Sequence, residues 1–414
     1  MKPIITFFLF LFANNISAQS LDINGLPNIE KYTIDSKILN EKRDIFVYVP
    51  TGFLGMDDSL SMYPVTFVLD GESQFLNTYS AIDYLSSAAL GNDVMPRTIV
   101  VGIPNTNRER DLTPIKGMMG KDSTSLDRTG GGPNFLDFII SEVEPLLDSK
   151  FPLSAHRTII GHSLGGLIVF EALLNRRDYF DNYLAIDPYL VFDNESYFNR
   201  ILDTLRNVNL ESENLYVATA RTLPTFIDSH MVQADTSEIV KLTKSIIKFP
   251  EIADSENWKI NYLIKHYPKE NHFSVPYIST FESMKFFYDY YAFEEMIDYY
   301  HPSMKDRSDL VERLDLHYQE VSKLLGYTVI PMESYINTWA FGMSNFDRSD
   351  LAIDLFDYNI KLYPNHSTVY NSKGTFLQQQ GNNKAAIEMF KKSLKLKGDE
   401  GIQKRLDELC SPEK

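Results

Sequence analysis

Residues 161–166, Gly-His-Ser-Leu-Gly-Gly, combine a serine with glycines at the spacing that a reactive hydroxyl requires. The run follows a short β-branched strand, 157–160, and leads directly into a helical segment. A serine on such a strand-to-helix turn projects its Oγ from the sheet, and the helix N-terminus behind it favours developing negative charge. Side chains at Gly161 and Gly165 are expected to clash with neighbouring backbone. Ser163 is therefore the candidate nucleophile.

A serine nucleophile needs a base that takes its proton and later returns it to the leaving group. His272 lies between the last predicted strand, 258–263, and a helix that begins near Ser279. When the nucleophile lies on a strand-to-helix turn, the base is expected later in the chain, in the loop between the last strand and the last helix. His266 is the alternative, although it lies closer to the strand, and the side chain of His162 is expected to point away from the nucleophile.

An acid that orients the base should lie between nucleophile and base in the chain, after the predicted strand 214–219. Asp228 is the first carboxylate in that loop and is our candidate. The alternatives are a Ser–His dyad without a close acid, or one of three other carboxylates, Asp187, Asp235 and Glu238.

An oxyanion hole needs two backbone N–H donors. Leu164, the residue after the nucleophile, is expected to supply one of them. The loop Leu69-Asp70-Gly71-Glu72 follows an early strand, so the N–H of Glu72 is the candidate for the second. Asp70 is expected to brace this loop without taking part in proton transfer.

Strands alternate with helices from about residue 63 to 295, which predicts an α/β fold with a mostly parallel, doubly wound sheet. A hairpin precedes it at about residues 30–50, and 105–132 is expected to be a surface loop. Predicted strands lie at 63–71, 97–103, 157–160, 183–186, 214–219 and 258–263, and predicted helices at 81–90 and 134–147.

The chain has 414 residues, enough for more than one domain. Residues 1–18 have the layout of a bacterial signal peptide, and their apolar stretch is about half of the ~20 residues that a membrane-spanning helix needs. The protein is therefore expected to be exported, to the periplasm or the medium. The catalytic domain is predicted at 19–299, bridging helices at 300–335 and helical repeats at 336–414.

The repeats are visible as a 34-residue period, in which 351–356 matches 385–390. That period is typical of tetratricopeptide helix pairs, of which about three are needed for independent stability. Only two are visible, so the tail is expected to pack on the catalytic domain, on a protein partner or on a second copy.

The net charge of −16 disfavours binding to nucleic acid or to anionic lipid. The single cysteine, Cys410, excludes intramolecular disulfides and a cysteine-based metal site. No metal or cofactor is expected, and no later segment is apolar enough to span a membrane.

As a set, these motifs resemble the putative esterase, or esterase D-like, family of α/β-hydrolases, which includes enterochelin and feruloyl esterases. The resemblance spans about residues 30–295 and implies that Ser163 and His272 are catalytic. Two places depart from the family pattern, 218–221 where Gly-x-Glu is common and 187–189 where Ser-Pro-Ser is common. The matching segments are 68–71, 101–105, Arg108, 111–114, 161–166, 186–188 and 270–272.

The sequence thus predicts an exported serine esterase that forms an acyl-enzyme on Ser163 from a small-molecule ester. Siderophore-type and carbohydrate-linked esters are the candidate substrates. The alternatives are acyl transfer to a sugar acceptor and a scaffold protein with a vestigial hydrolase domain.

Overall fold

A single mixed sheet forms the centre of the molecule in the computed structural model, which describes residues 28–50, 62–87, 92–120, 122–221, 238–256 and 258–411. The strand order is β1-β2-β4-β3-β5-β6-β7-β8. β1 and β2 are antiparallel additions at one edge, and β4, β3, β5, β6, β7 and β8 are mutually parallel. The strands are β1 (Asn28–Ser36), β2 (Glu41–Val49), β3 (Tyr63–Leu69), β4 (Ile99–Ile103), β5 (Leu153–His162), β6 (Asn182–Ile186), β7 (Leu210–Ala220) and β8 (Ile260–Tyr267).

Helices follow the parallel strands and then continue alone to the C-terminal end of the described chain. A π-helical turn, Ile139–Val143, joins α3 to α4. The helices are α1 (Gly71–Leu85), α2 (Arg108–Asp111), α3 (Gly132–Phe138), α4 (Glu144–Asp148), α5 (Leu164–Asn175), α6 (Ser196–Asn207), α7 (Glu238–Ser255), α8 (Val275–Phe287), α9 (Leu310–Leu325), α10 (Glu333–Asn345), α11 (Ser349–Leu362), α12 (Ser367–Gln379), α13 (Asn383–Leu396) and α14 (Glu400–Cys410).

The predicted α/β-hydrolase architecture is confirmed, because the central strands are buried on both faces as parallel strands require. Every residue of β3, β4 and β6 is buried. The chain leaves β3 towards β4 and leaves β5 towards β6, in opposite directions across the sheet. A crevice therefore opens at the carboxyl ends of β3 and β5, where α/β proteins place their ligands.

Two local predictions were wrong. α1 begins at Gly71, directly after β3, and not at residue 81. Its first turn, residues 71–74, carries no large apolar side chain, so the apolar pattern in the sequence does not mark where the helix begins. The segment 105–132 is more than a surface loop, because Asp111 is fully buried and its Oδ2 lies 2.5 Å from Nη1 of the equally buried Arg43. That ion pair fixes the segment to β2.

The C-terminal region contains two pairs of contacting helices with the predicted spacing, α10 with α11 and α12 with α13. α12 and α13 begin 34 residues after α10 and α11, at 367 against 333 and at 383 against 349. Equivalent positions are buried in both pairs, as Phe356 and Phe390 illustrate. The identification of these pairs as tetratricopeptide repeats, and the domain limits at 299 and 335, remain predictions.

The apolar side of the C-terminal helices packs on the catalytic part of the chain. One hydrophobic cluster runs from the sheet through α1 and α8 to α9 and the helix pairs. Tyr318 of α9 donates a hydrogen bond of 2.5 Å to Asp93, which follows α1. Arg348 donates to the backbone oxygens of Tyr299 and Arg307 at 3.2 and 2.7 Å. Among the described residues, no helix is long and apolar enough to cross a bilayer.

Truncation after residue 299 is expected to lower both solubility and Tm. The deletion exposes the apolar surface that α9 and the helix pairs cover, and that surface includes the environment of the buried Asp93. Thermal unfolding of the full and truncated chains measures the effect. A truncated chain with unchanged Tm and solubility would show that the tail folds as an independent module.

Asp93→Asn is expected to raise Tm at pH 8. Burial raises the pKa of Asp93 to about 6, against the opposing effects of the Tyr318 hydrogen bond and the Arg97 charge. Because the folded-state pKa lies above the unfolded value, Asp93 destabilises the protein increasingly as pH rises from about 4 through 6, by up to about 3 kcal/mol.

The gain in Tm should shrink towards pH 4, where Asp93 is protonated in both states. Asp148→Asn, at an exposed position, is the matched control and should change Tm little at either pH. An equal loss of Tm at pH 4 and pH 8 in Asp93→Asn would contradict the prediction.

Candidate active site

Ser163 occupies a strained turn between β5 and α5. Its backbone has φ 59° and ψ −113°, a region that residues with side chains rarely adopt. Its N–H donates to the Ile186 carbonyl at 2.9 Å, which ties the turn to β6. A Cβ on Gly161 would lie 2.2 Å from the Gly165 carbonyl oxygen, so the turn requires glycine there. The predicted strand–serine–helix geometry is therefore present.

The second predicted clash was assigned to the wrong glycine. A Cβ on Gly165 would make only ordinary contacts, at 3.5 Å from Asp70 Oδ2 and at 3.6 and 3.8 Å from the side chain of Leu69. A Cβ on Gly166 would instead lie 2.8 Å from the Cβ of Pro188, in the loop after β6. Gly166 thus allows the first turn of α5 to approach the neighbouring loop closely.

His272 is held by a buried carboxylate. Its Nδ1 lies 2.6 Å from Oδ2 of Asp187, the residue that follows β6. Asp187 is fully buried, with a left-handed φ of 39° that turns the chain at the strand end. Its Oδ1 accepts a hydrogen bond from the Ala220 N–H at 2.9 Å. Since a carboxylate only accepts, the Nδ1 of His272 carries the proton and Nε2 is left as the basic nitrogen.

Of the carboxylates weighed from the sequence, the structure describes the side chain of Asp187. Asp228 and Asp235 lie outside the described residues, and Glu238 is the first residue of α7. We infer from its contact with His272 that Asp187 is the orienting acid; the role predicted for Asp228 stays a prediction. Asp187 was among the alternatives because it ends a predicted strand, and the structure adds that β6 and β7 are parallel and pair Ile186 with Ala218, so both strands end at the same edge.

The alternative base, His266, is exposed on the edge strand β8. Its Nδ1 lies 3.0 Å from the Thr219 hydroxyl, and the described structure records no contact of His266 with Asp187. The geometry therefore favours His272 over His266.

His162 packs against the candidate base. The centroids of the His162 and His272 rings are 4.3 Å apart, with the planes inclined by 43°. Burial, reinforced by the charge of His272, lowers the pKa of His162 to about 4. His162 is therefore neutral at physiological pH, and a proton on His272 meets no second positive charge on the adjacent ring.

The two predicted oxyanion donors lie in the first turns of two helices. Leu164 is the first residue of α5, and Glu72 is the second residue of α1. N–H groups in the first turn of a helix have no acceptor within that helix. A Cβ on Gly71 would lie 2.4 Å from the Ile103 nitrogen, so glycine lets α1 begin directly against β4. The placement is compatible with the predicted roles of both donors.

An ion pair connects the two halves of this site. Arg108 donates from Nε to Asp70 Oδ1 at 2.6 Å and from Nη2 to Oδ2 at 2.9 Å. Its Nη2 also lies 3.3 Å from the His162 carbonyl, next to the nucleophile. Asn105 donates to both Asp70 and Glu72, at 2.6 and 2.8 Å. These contacts agree with a bracing role for Asp70. No cluster of three or more potential metal ligands occurs in the described ranges.

Part of the chain matches a known protein family and several curated proteins. Residues 36–239 match the family described as putative esterase, and this part of the chain belongs to that family. The ferri-bacillibactin esterase BesA of Bacillus subtilis is 29% identical over 175 residues, which are 39% of this chain and 59% of BesA. The siderophore triacetylfusarinine C esterase of Aspergillus fumigatus is 28% identical over 174 residues, 39% and 56% of the two chains. The matches span less than two thirds of either relative.

A solved structure resembles more of the chain. The IroE-like serine hydrolase from Shewanella oneidensis has a TM-score of 0.63 and 26% identity, covering 81% of this chain and 99% of that one. The portion before residue 300 is too short to account for that coverage. The structural likeness therefore extends into the C-terminal helices.

Asp187→Asn is expected to lower kcat/KM on the order of 10²–10⁴-fold, because an amide at this position favours the wrong tautomer of the base. Asp228→Asn is the matched comparison and should stay close to wild type. Hydrolysis of p-nitrophenyl acetate by both variants provides the measurement. A larger loss in Asp228→Asn than in Asp187→Asn would overturn the assignment of the acid.

Proposed function

We propose that this protein is an exported serine esterase that hydrolyses a carboxylic ester through an acyl-enzyme on Ser163. The observation that carries the proposal is the contact between His272 and the buried Asp187. The ring of His272 lies 4.3 Å from that of His162, the residue that precedes the serine of the strained strand-to-helix turn. These groups occur together in the order nucleophile, acid, base along the chain. Export rests on residues 1–18, which lie outside the described residues.

The proposed ester hydrolysis begins with the proton of His272 on Nδ1 and with Nε2 free to act as the base. The Oγ of Ser163 attacks the ester carbonyl while His272 Nε2 takes the proton from that hydroxyl. Asp187 stabilises the resulting imidazolium through its contact with Nδ1. The N–H groups of Leu164 and Glu72 bind the oxyanion. His272 then protonates the leaving alcohol, and a water molecule, activated by the same histidine, releases the acid from Ser163.

A siderophore-type ester is the first candidate substrate, and a carbohydrate-linked ester is the second. The names of the Aspergillus fumigatus and Bacillus subtilis relatives support the first of these. The net charge of −16 disfavours a highly anionic substrate, such as a ferric complex, relative to a less charged ester. Ionic strength should therefore raise the rate on anionic esters.

Ser163→Ala is expected to lower ester hydrolysis on the order of 10³-fold or more, with an unchanged Tm. His272→Ala should cost nearly as much and the double variant little more, because the two groups act as a unit. The measurement is kcat/KM on a panel of p-nitrophenyl, feruloyl, acetyl-sugar and catecholate esters.

An organophosphate identifies the nucleophile independently of the substrate. Stoichiometric labelling is expected at Ser163 in the wild type and should be lost in Ser163→Ala. Labelling of a different serine would refute the assignment, and inactivity of the wild type on the whole panel would refute the esterase proposal.

A further inference from the structure

Phe273, the residue after the candidate base, leaves its ring in solvent. With 86% of its surface exposed, it is the most exposed large apolar side chain among the described residues, followed by Leu76 and Ile297 at 62% each. Its ring centroid lies 5.2 Å from that of His272, with the two planes at 82°. The ring therefore stands beside the base, edge to face, and not at a remote point of the surface.

The turn that carries Phe273 is fixed by hydrogen bonds. The Phe273 N–H donates to Asn271 Oδ1 at 2.8 Å, and the Asn271 N–H donates to the Ser274 hydroxyl at 3.0 Å. That hydroxyl donates to Glu270 at 2.6 Å, and the Glu270 carbonyl accepts from the Arg221 N–H at 2.9 Å. A constrained backbone thus holds a large apolar ring in water beside the base, and a binding partner that covers the ring gains the free energy of removing its apolar surface from water.

The neighbours of Phe273 indicate a substrate as that partner. His272 is itself 26% exposed, so a group that covers the Phe273 ring lies next to a base that is open to solvent. The base protonates the leaving alcohol, which places the alcohol portion of an ester beside His272. Aromatic rings bind other aromatic rings in offset or edge-to-face contact, with a preference over aliphatic groups of equal size.

We propose that Phe273 binds an aromatic ring in the alcohol portion of the ester, and that aryl-substituted alcohols are the preferred leaving groups. The inference rests on the proposed esterase function and deepens it by naming a part of the substrate. Phe273 is in this view a specificity-determining residue, which contacts the substrate and takes no part in proton transfer.

Two pairs of esters distinguish a contact of Phe273 with the alcohol portion of the substrate from a contact with the acyl portion. 2-Phenylethyl and 2-cyclohexylethyl acetate differ only in the aromatic character of the alcohol, and their leaving groups have similar reactivity. Methyl 3-phenylpropanoate and methyl 3-cyclohexylpropanoate place the same difference in the acyl portion. Ethyl acetate reports on the basal reaction, and all five are followed by pH-stat titration.

Phe273→Ala is expected to lower kcat/KM for 2-phenylethyl acetate roughly tenfold, mainly through KM, the size of effect that one aromatic contact produces. The other esters should change less than about threefold. Phe273→Tyr keeps the ring and should retain the wild-type preference. Leu324→Ala, at a 60% exposed position on α9, is the control for loss of a remote apolar side chain.

Each other outcome has a defined meaning. Equal losses on all five esters, ethyl acetate included, would show that Phe273 only positions His272 and would overturn the proposal. An unchanged preference in Phe273→Ala, or a loss confined to the aromatic acyl ester, would overturn it while leaving the esterase function intact. A wild-type protein that hydrolyses none of these esters, nor p-nitrophenyl acetate, would refute the esterase function and this inference with it.

Discussion

The Asp187 carboxylate is the charge on which the site depends, because it is fully buried and must be satisfied where it stands. One oxygen accepts from Ala220 N–H and the other from His272 Nδ1, so β7 and the loop after β8 are both tied to the end of β6. The same contact fixes the tautomer of His272. Removing either partner would leave a buried charge or an unoriented base, so the fold and the chemistry share this constraint.

A second set of charges holds the other side of the crevice. Arg108 pairs with Asp70 and reaches the carbonyl of His162, so the ends of β3 and β5 keep a fixed separation. The loop that carries Arg108 is in turn held by Arg43, through its buried contact with Asp111. Salt bridges of this kind add little net stability, since desolvation offsets their attraction, and their contribution lies in geometry. These salt bridges hold the first turns of α1 and α5 in place, and with them the candidate oxyanion donors Glu72 and Leu164.

The sequence was most informative where the signal is local. Ser163 is defined by its own flanking residues, and His272 by its place between a strand and a helix. Asp187 could not be chosen over Asp228, because the choice depends on how β6 and β7 align and on the left-handed turn at Asp187 itself. The same holds for Gly166, whose close neighbour Pro188 belongs to another loop. Local patterns and the spacing of residues do not predict contacts between segments that are distant in the chain.

The C-terminal helices bear on the site through the face of the sheet that they cover. The nucleophile helix α5 packs in the hydrophobic cluster on one face, whereas α1, α8 and the tail share the cluster on the other. α1 begins at the oxyanion loop with Glu72, and α8 begins three residues after His272. The tail therefore supports α1 and α8, and the first residues of these helices lie next to the second candidate oxyanion donor and the base. The tail itself supplies no candidate catalytic group. The tail and the catalytic part share one hydrophobic cluster, so each covers apolar surface of the other.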